Sequence, residues 1–142
     1  MQLFSLAEIP VPMVRCTSVH LSSMAESHIE TGKRGEDCAA AYLTLRGYRI
    51  LQRNIRTQAG EIDLIARLGD TIIFVEVKAN ARTHDAFAPS IRVDQKKLNR
   101  LSAAAELWLE LERERGADLS GRIDVIGVCE GKVVEHFEDV AG

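Results

Sequence analysis

The chain has 142 residues, of which 46% are apolar, enough for one buried core and a single domain. Its formal net charge of −3 argues against indiscriminate binding to polyanions, and no window approaches the roughly twenty apolar residues of a membrane-spanning helix. Cys16, Cys38 and Cys129 lack CxxC spacing and the histidines are scattered, which argues against a disulfide framework or a zinc cluster and for a cytoplasmic protein.

Residues 1–30 mix Pro10, Pro12, serines and isolated apolar residues without periodicity, so a flexible N-terminal extension is expected ahead of a domain at 31–142. The stretch lacks an early basic segment, and Glu8 and the prolines interrupt its apolar residues, which argues against a signal peptide. Met24 offers an alternative start. From Lys33 to Arg46, Cys38, Ala41, Tyr42 and Leu45 recur at helical spacing, with Gly47 as the C′ residue. Gly32 and Gly35 near the start of this helix predict a frayed first turn, or else a close approach to the sheet or a substrate.

Residues 48–55 read as a strand leading into a β-hairpin. Its arms are Gly60-Glu61-Ile62-Asp63-Leu64-Ile65-Ala66-Arg67 and Ile72-Ile73-Phe74-Val75-Glu76-Val77-Lys78, and Gly69-Asp70 supplies a two-residue turn. That turn pairs Leu68 with Thr71, sets Asp63 opposite Glu76 and sets Glu61 opposite Lys78. A polar loop with His84 and Pro89 follows at 79–90. Asp94 then looks like the N-cap of a helix to about Arg115, with Leu98, Leu101, Ala105 and Trp108 on its apolar face. Trp108 is expected in the core. Strands return at 122–128 and 133–137 around Glu130-Gly131-Lys132, and Asp124 is a further candidate acid for which pairing with Arg122 or Arg56 is the more expected role.

The order α-β-β-β-α-β-β predicts an α/β fold with a mixed central sheet flanked by helices. In the hairpin, Glu76 and Lys78 share a face about 6.5 Å apart along the strand, and Asp63 joins them. Carboxylates opposed at about 5 Å repel by up to ~3 kcal/mol at an effective dielectric near 20. Hard oxygens on adjacent strands make a half-site for Mg²⁺ or Mn²⁺, and Lys78 beside it is placed to orient a water and offset charge on a phosphorane-like transition state. The ordinary alternative is a solvated polar face. Against it, Phe74 and Ile65 share the face with these charges, and nearly every residue from Ile72 to Val77 is apolar.

Charge is unevenly spread. Arg46, Arg49, Arg53 and Arg56 fall in a stretch without acids, and Lys78, Arg82, Arg92, Lys96, Lys97 and Arg100 outnumber Asp85 and Asp94, while Glu106, Glu110, Glu112 and Glu114 cluster elsewhere. A basic flank beside an acidic metal site attracts a phosphate backbone that the carboxylates alone would repel. Arg53, Arg56, Arg82, Lys96, Lys97 and Arg100 are therefore the expected nucleic-acid contacts.

Six segments together carry a family resemblance: Gly32-Lys33-Arg34-Gly35-Glu36, Gly47-Tyr48, Arg53-Asn54-Ile55-Arg56, Gly60-Glu61-Ile62-Asp63-Leu64-Ile65, Phe74-Val75-Glu76-Val77-Lys78 and Arg122-Ile123-Asp124-Val125. Over about residues 31 to 138 the chain resembles the YraN-like family of small bacterial proteins, held to be restriction-endonuclease-like and distantly similar to archaeal Holliday junction resolvases. The resemblance implies a PD-(D/E)xK nuclease core, in which Asp63 is the motif aspartate, Glu76 and Lys78 are the ExK pair, and Glu36 is a helix-borne acid that shares the metal. Ile62 stands where the motif's name places proline, and Ala79-Asn80-Ala81-Arg82 departs from the basic pair expected after the lysine.

The reading is a Mg²⁺- or Mn²⁺-dependent endonuclease acting on DNA, including branched or structured DNA. Its catalytic residues are Asp63, Glu76, Lys78 and Glu36, and Asp63, Glu76 and Glu36 hold the metal. Glu61 is assigned at most an orienting role toward Lys78. A homodimer follows by analogy with resolvases. Two alternatives stand beside it: a non-catalytic nucleic-acid-binding module of the same fold, and an RNA-directed nuclease.

Overall fold

The computed structural model describes residues 28–80 and 94–142. Residues 1–27 of the expected extension at 1–30 and residues 81–90 of the expected loop at 79–90, with Arg82 and His84, lie outside the described residues, whereas residues 28–30 are helical and 79–80 continue a strand. Among the described residues the order is α1 (His28–Leu45), β1 (Arg49–Arg56), β2 (Glu61–Leu68), β3 (Thr71–Asn80), α2 (Gln95–Glu114), β4 (Ser120–Cys129) and β5 (Lys132–Phe137). The expected element order is present throughout.

The strands form one mixed sheet in the order β1-β2-β3-β4-β5. All neighbours are antiparallel except β3 and β4, which run parallel and are joined through α2. A parallel pair needs such a crossover, and here it covers one sheet face. α1 covers the other. Ala39, Ala40 and Leu43 of α1 pack with Leu64, Ala66, Ile73, Val75, Ile126 and Val128. On the opposite face Leu101, Ala104, Ala105 and Leu109 of α2 pack with Ile62, Ile65, Ile72, Phe74 and Ile123. The result is an α/β sandwich of three layers, consistent with a restriction-endonuclease-like fold. Central β3 is buried from Ile72 to Glu76 because helices cover both of its faces.

α1 begins at His28 and not at the expected Lys33, so neither glycine in its first turns stops it. Its end follows from sequence directly. Gly47 has φ 90°, its N–H bonds the Thr44 carbonyl, and the Tyr48 N–H bonds the Leu43 carbonyl, the paired bonds of a Schellman cap. Tyr48 and Leu43 then join the same core cluster. α2 begins at the expected Asp94 cap, whose side chain accepts from the Lys96 N–H. The hairpin turn is also as expected, with Gly69 at φ 60° and Leu68 paired with Thr71.

Gly35 makes the close approach to the sheet. A Cβ built there would stand 2.7 Å from the Ala79 Cβ, so α1 lies against β3 one residue beyond Lys78 with no room for a methyl group. Gly35→Ala is expected to lower stability by roughly 1–3 kcal/mol through overpacking, read as a fall in the urea midpoint. A midpoint unchanged from wild type would show that α1 does not seat on Ala79.

Trp108 is half-buried against the α2-side core. Its ring meets Phe74 edge-on at 5.7 Å between centroids, and its Nε1 donates to Gln52 Oε1 at 3.0 Å. Asp124 is fully buried, as an anchor of β4 to β5 and to the C-terminal segment. Arg122 Nε and Nη2 donate to its two oxygens at 2.9 and 3.0 Å, His136 Nε2 lies 2.8 Å from Oδ2, and the Asp139 N–H donates to Oδ1 at 3.0 Å. The expected Arg122 pairing therefore holds, and Arg56 takes no part. The same Arg122 donates to the Tyr48 hydroxyl at 3.0 Å.

Candidate metal and phosphate site

Register brings the motif residues together. The β2–β3 ladder runs from Leu68↔Thr71 to Leu64↔Val75, and its next step sets Asp63 opposite Glu76. Asp63 does not continue the ladder through its backbone. Its Oδ2 accepts the Val77 N–H at 2.8 Å instead, so the carboxylate itself spans the gap between the strands beside Glu76. Glu76 is only 3% exposed, and Phe74 and Ile65, on the same face, sit in the α2-side core.

Such a buried carboxylate needs a partner, and two lysines provide it. Lys78 Nζ lies 3.9 Å from Glu76 Oε1, and Lys97 of α2 forms a direct ion pair with the same oxygen. Lys97, expected on the nucleic-acid surface, is thus paired with Glu76. Burial, the largest single influence on Lys97, lowers its pKa. The hydrogen bond and charge of Glu76, with the charge of Asp63, outweigh that and hold the ammonium above its usual value.

Asp63 responds in the opposite sense to an ordinary surface acid. Burial and then the negative charge of Glu76 push its pKa from 3.8 up to about 7; the Val77 N–H pulls it down, Glu36 pushes it up and Lys97 pulls it down. Folding thus favours the protonated carboxyl. Stability from this group is full below the unfolded value of 3.8, falls as pH rises toward about 7, and is lost above it. In EDTA at pH 8, Asp63→Asn is therefore expected to raise stability by about 1–2 kcal/mol, and the gain should vanish near pH 4. Urea denaturation at both values checks it. A variant less stable than wild type at pH 8 would make Asp63 a purely structural acceptor.

Glu36 lies on α1 one residue after Gly35 and close enough to Asp63 for its charge to register there. Among the described residues no three His, Cys, Asp or Glu side chains are grouped so that they could hold a metal ion, so the expected Glu36 does not complete a ligand set with Asp63 and Glu76. Asp63 and Glu76 are instead an open pair of hard oxygen donors, with one Asp63 oxygen bonded to Val77. That set fits Mg²⁺ or Mn²⁺, which take one or two carboxylates and complete their shell with water and phosphate.

The remaining sequence candidates divide. Arg53 is ion-paired to Asp37 of α1 at 2.6 Å, and Arg56 to Glu61 at 3.0 Å, so both exposed arginines already hold a carboxylate. The Glu61 pairing corrects the expected Glu61–Lys78 contact. β2 has a neighbour on each side, and the register sets Glu61 opposite Arg56 of β1. Lys96 is exposed in the first turn of α2. Arg100, one turn on, backs against the β1–β2 connection, where a Cβ at Gly60 would stand 3.3 Å from the Arg100 Cβ. The first turn of α2 therefore brings Lys97 to Glu76, with Lys96 exposed one residue before it.

Among the described residues no helix is long and apolar enough to cross a membrane. Residues 35–128, which hold Glu36, Asp63, Glu76, Lys78 and Lys97, match the uncharacterised protein family UPF0102. UPF0102 proteins of Rhizobium etli and Mesorhizobium japonicum are each 42% identical to the chain, over 84% and 83% of its length and 94% and 91% of theirs. One from Geobacter sulfurreducens is 45% identical over 68% of this chain and 73% of its own. The YraN-like resemblance expected from the sequence is borne out at this level: the chain belongs to family UPF0102.

Proposed function

We propose that this chain is a metal-dependent endonuclease of the PD-(D/E)xK type that hydrolyses phosphodiester bonds in DNA, with branched or structured DNA as its target class. The observation that carries the reading is the convergence of Asp63, Glu76, Lys78 and Lys97 at one point of the sheet, with Asp63 held protonated to about pH 7 by burial and by Glu76. Two like-charged carboxylates side by side, with lysines beside them, are a costly arrangement for a fold and a useful one for a phosphate.

In this reading Asp63 and Glu76 would hold Mg²⁺ or Mn²⁺, and Glu36 acts on the site through its charge at Asp63. The ion, when bound, supplies Lewis acidity to the phosphate and acidifies water. Lys78 donates to the attacking water and offsets charge gathering on the phosphate oxygens. Lys96, Lys97 and the N–H groups of the first turn of α2 draw the backbone in and position it. Because Arg53 and Arg56 are paired to acids, they act only if a phosphate displaces those acids.

One observation favours a second reading. Lys97 already neutralises Glu76, so the site is balanced without a metal, as a non-catalytic nucleic-acid-binding module would require. The experiment that separates them incubates the protein with end-labelled linear, flapped and four-way DNA, and matched RNA, in Mn²⁺ and in EDTA. The nuclease reading expects Mn²⁺-dependent products from DNA. Binding without products supports the module, and products from RNA alone support the RNA-directed enzyme. Sedimentation with and without four-way DNA tests the homodimer that a two-fold substrate calls for.

A further inference from the structure

Beyond the bulge between Ile50 and Gln52 of β1, strand alternation breaks at a step that β1 and β2 share. On β1, Gln52 reaches Trp108 of α2 and Arg53 reaches Asp37 of α1, so these successive side chains face opposite layers. Regular alternation would turn Asn54 toward α2 and Ile55 toward α1, yet Ile55 packs in the α2-side core. On β2, Ile65 belongs to the α2-side core and Leu64 to the α1-side core. Alternation would then place Ile62 under α1, but it too is buried under α2.

The two breaks face each other. Arg53 pairs with Leu64 and Ile55 with Ile62, which leaves Asn54 opposite Asp63. Asn54 has φ 51°, the one non-glycine residue at positive φ inside the described strands. Asn and Asp tolerate that backbone better than other residues with side chains, and β-branched residues tolerate it least. Within a strand it rolls the chain past one face, which is what both partners record. Beyond this point the β2–β3 ladder ends at Leu64↔Val75, and the Asp63 carboxylate takes the Val77 N–H.

We propose that Asn54 is a positioning residue: its left-handed backbone rolls β1 and β2 at the Asn54/Asp63 step, lifts Asp63 out of the β3 ladder and sets its carboxylate against Val77 beside Glu76. The sequence contains no β-bulge glycine at this step, so Asn supplies the conformation while keeping a side chain. The inference deepens the proposed site and rests on Asp63 being one of its carboxylates. The strain sits at a site and not at a turn, where it has a job to do.

Three variants separate backbone from side chain: Asn54→Gly, Asn54→Ala and Asn54→Thr. Amide hydrogen exchange at Val77, with Val75 inside the ladder as the control, reads the Asp63 bond in metal-free protein, and calorimetry reads Mn²⁺ affinity. Asn54→Gly is expected to keep both within about threefold of wild type, while Asn54→Thr loses about tenfold or more at Val77 and in Mn²⁺ affinity with Val75 unmoved. Asn54→Ala should fall between, and decides the matter if Asn54→Thr fails to fold. Wild-type protection of Val77 in Asn54→Ala and Asn54→Thr would overturn the proposal. So would equal losses at Val75 and Val77, or an Asn54→Gly as impaired as Asn54→Thr. If the wild type binds no Mn²⁺, the metal reading fails by itself, and Val77 exchange still decides the role of Asn54.

Discussion

Asp124→Ala is expected to lower stability by about 3–5 kcal/mol, a fall in melting temperature of roughly 10 °C or more for a chain of this length. The carboxylate is fully buried and takes four hydrogen bonds, from Arg122 twice, from His136 and from the Asp139 backbone. Removing it leaves the partly buried Arg122 guanidinium with only the Tyr48 hydroxyl and a distant Glu138 carboxylate at 3.8 Å to offset its charge. It also unties β4 from β5 and from the segment after Phe137. Asp124→Asn keeps the shape without the charge and should recover only part of the loss. Thermal and urea unfolding measure both, and a change below about 1 kcal/mol in Asp124→Ala would show that solvent reaches Arg122 far more freely than its burial implies. Asp124 lies on the α1 side of the sheet with Tyr48, away from Glu76, so this variant that folds at low temperature should keep its Mn²⁺ affinity.

Lys78→Ala is expected to slow DNA cleavage by about 10²–10⁴-fold while leaving metal affinity and DNA affinity near wild type. Lys78 lies 3.9 Å from Glu76, farther than Lys97, so Glu76 keeps its closer counter-charge when Lys78 is removed. Asp63→Asn should lose the metal, because it replaces a donor oxygen's charge. Single-turnover cleavage and Mn²⁺ calorimetry on both variants separate the roles. Equal metal loss in the two would remove the division between them, and undiminished cutting by Lys78→Ala would reject the nuclease site.

Much of this arrangement is legible in the chain because it depends on short-range rules. Gly69-Asp70 fixes a two-residue turn, and the register then runs to Leu64 and Val75, one step short of Asp63 and Glu76. Asp94 marks the start of α2, and Gly47 the end of α1, by capping chemistry that needs no tertiary information. The sequence also offered a partner for Asp124 two residues away in Arg122. Contacts set by packing were not legible. Lys97 reads as one basic residue among several in a first turn, and nothing local says that α2 seats that turn over Glu76. His136 reaches Asp124 only because β5 folds back along β4, and Glu61 chose Arg56 because β2 has two neighbours. The positive φ at Asn54 leaves no periodic trace, since Ile55 and Ile62 look like ordinary alternating strand residues until their layer is known. Residue type alone hinted at it, through the tolerance of Asn for that backbone.

The central claim is that Asp63 and Glu76 bind a divalent cation, and Mn²⁺ titration calorimetry at pH 6 in two buffers of different protonation enthalpy tests it most directly. With Asp63 pushed up to about 7, most molecules carry its proton at pH 6 and must release it to bind the ion. The account predicts one Mn²⁺ site with nearly one proton released, little release at pH 8, and neither site nor proton in Asp63→Asn. Absence of Mn²⁺ binding in the wild type at both pH values, or binding without proton release that Asp63→Asn leaves unchanged, would contradict it.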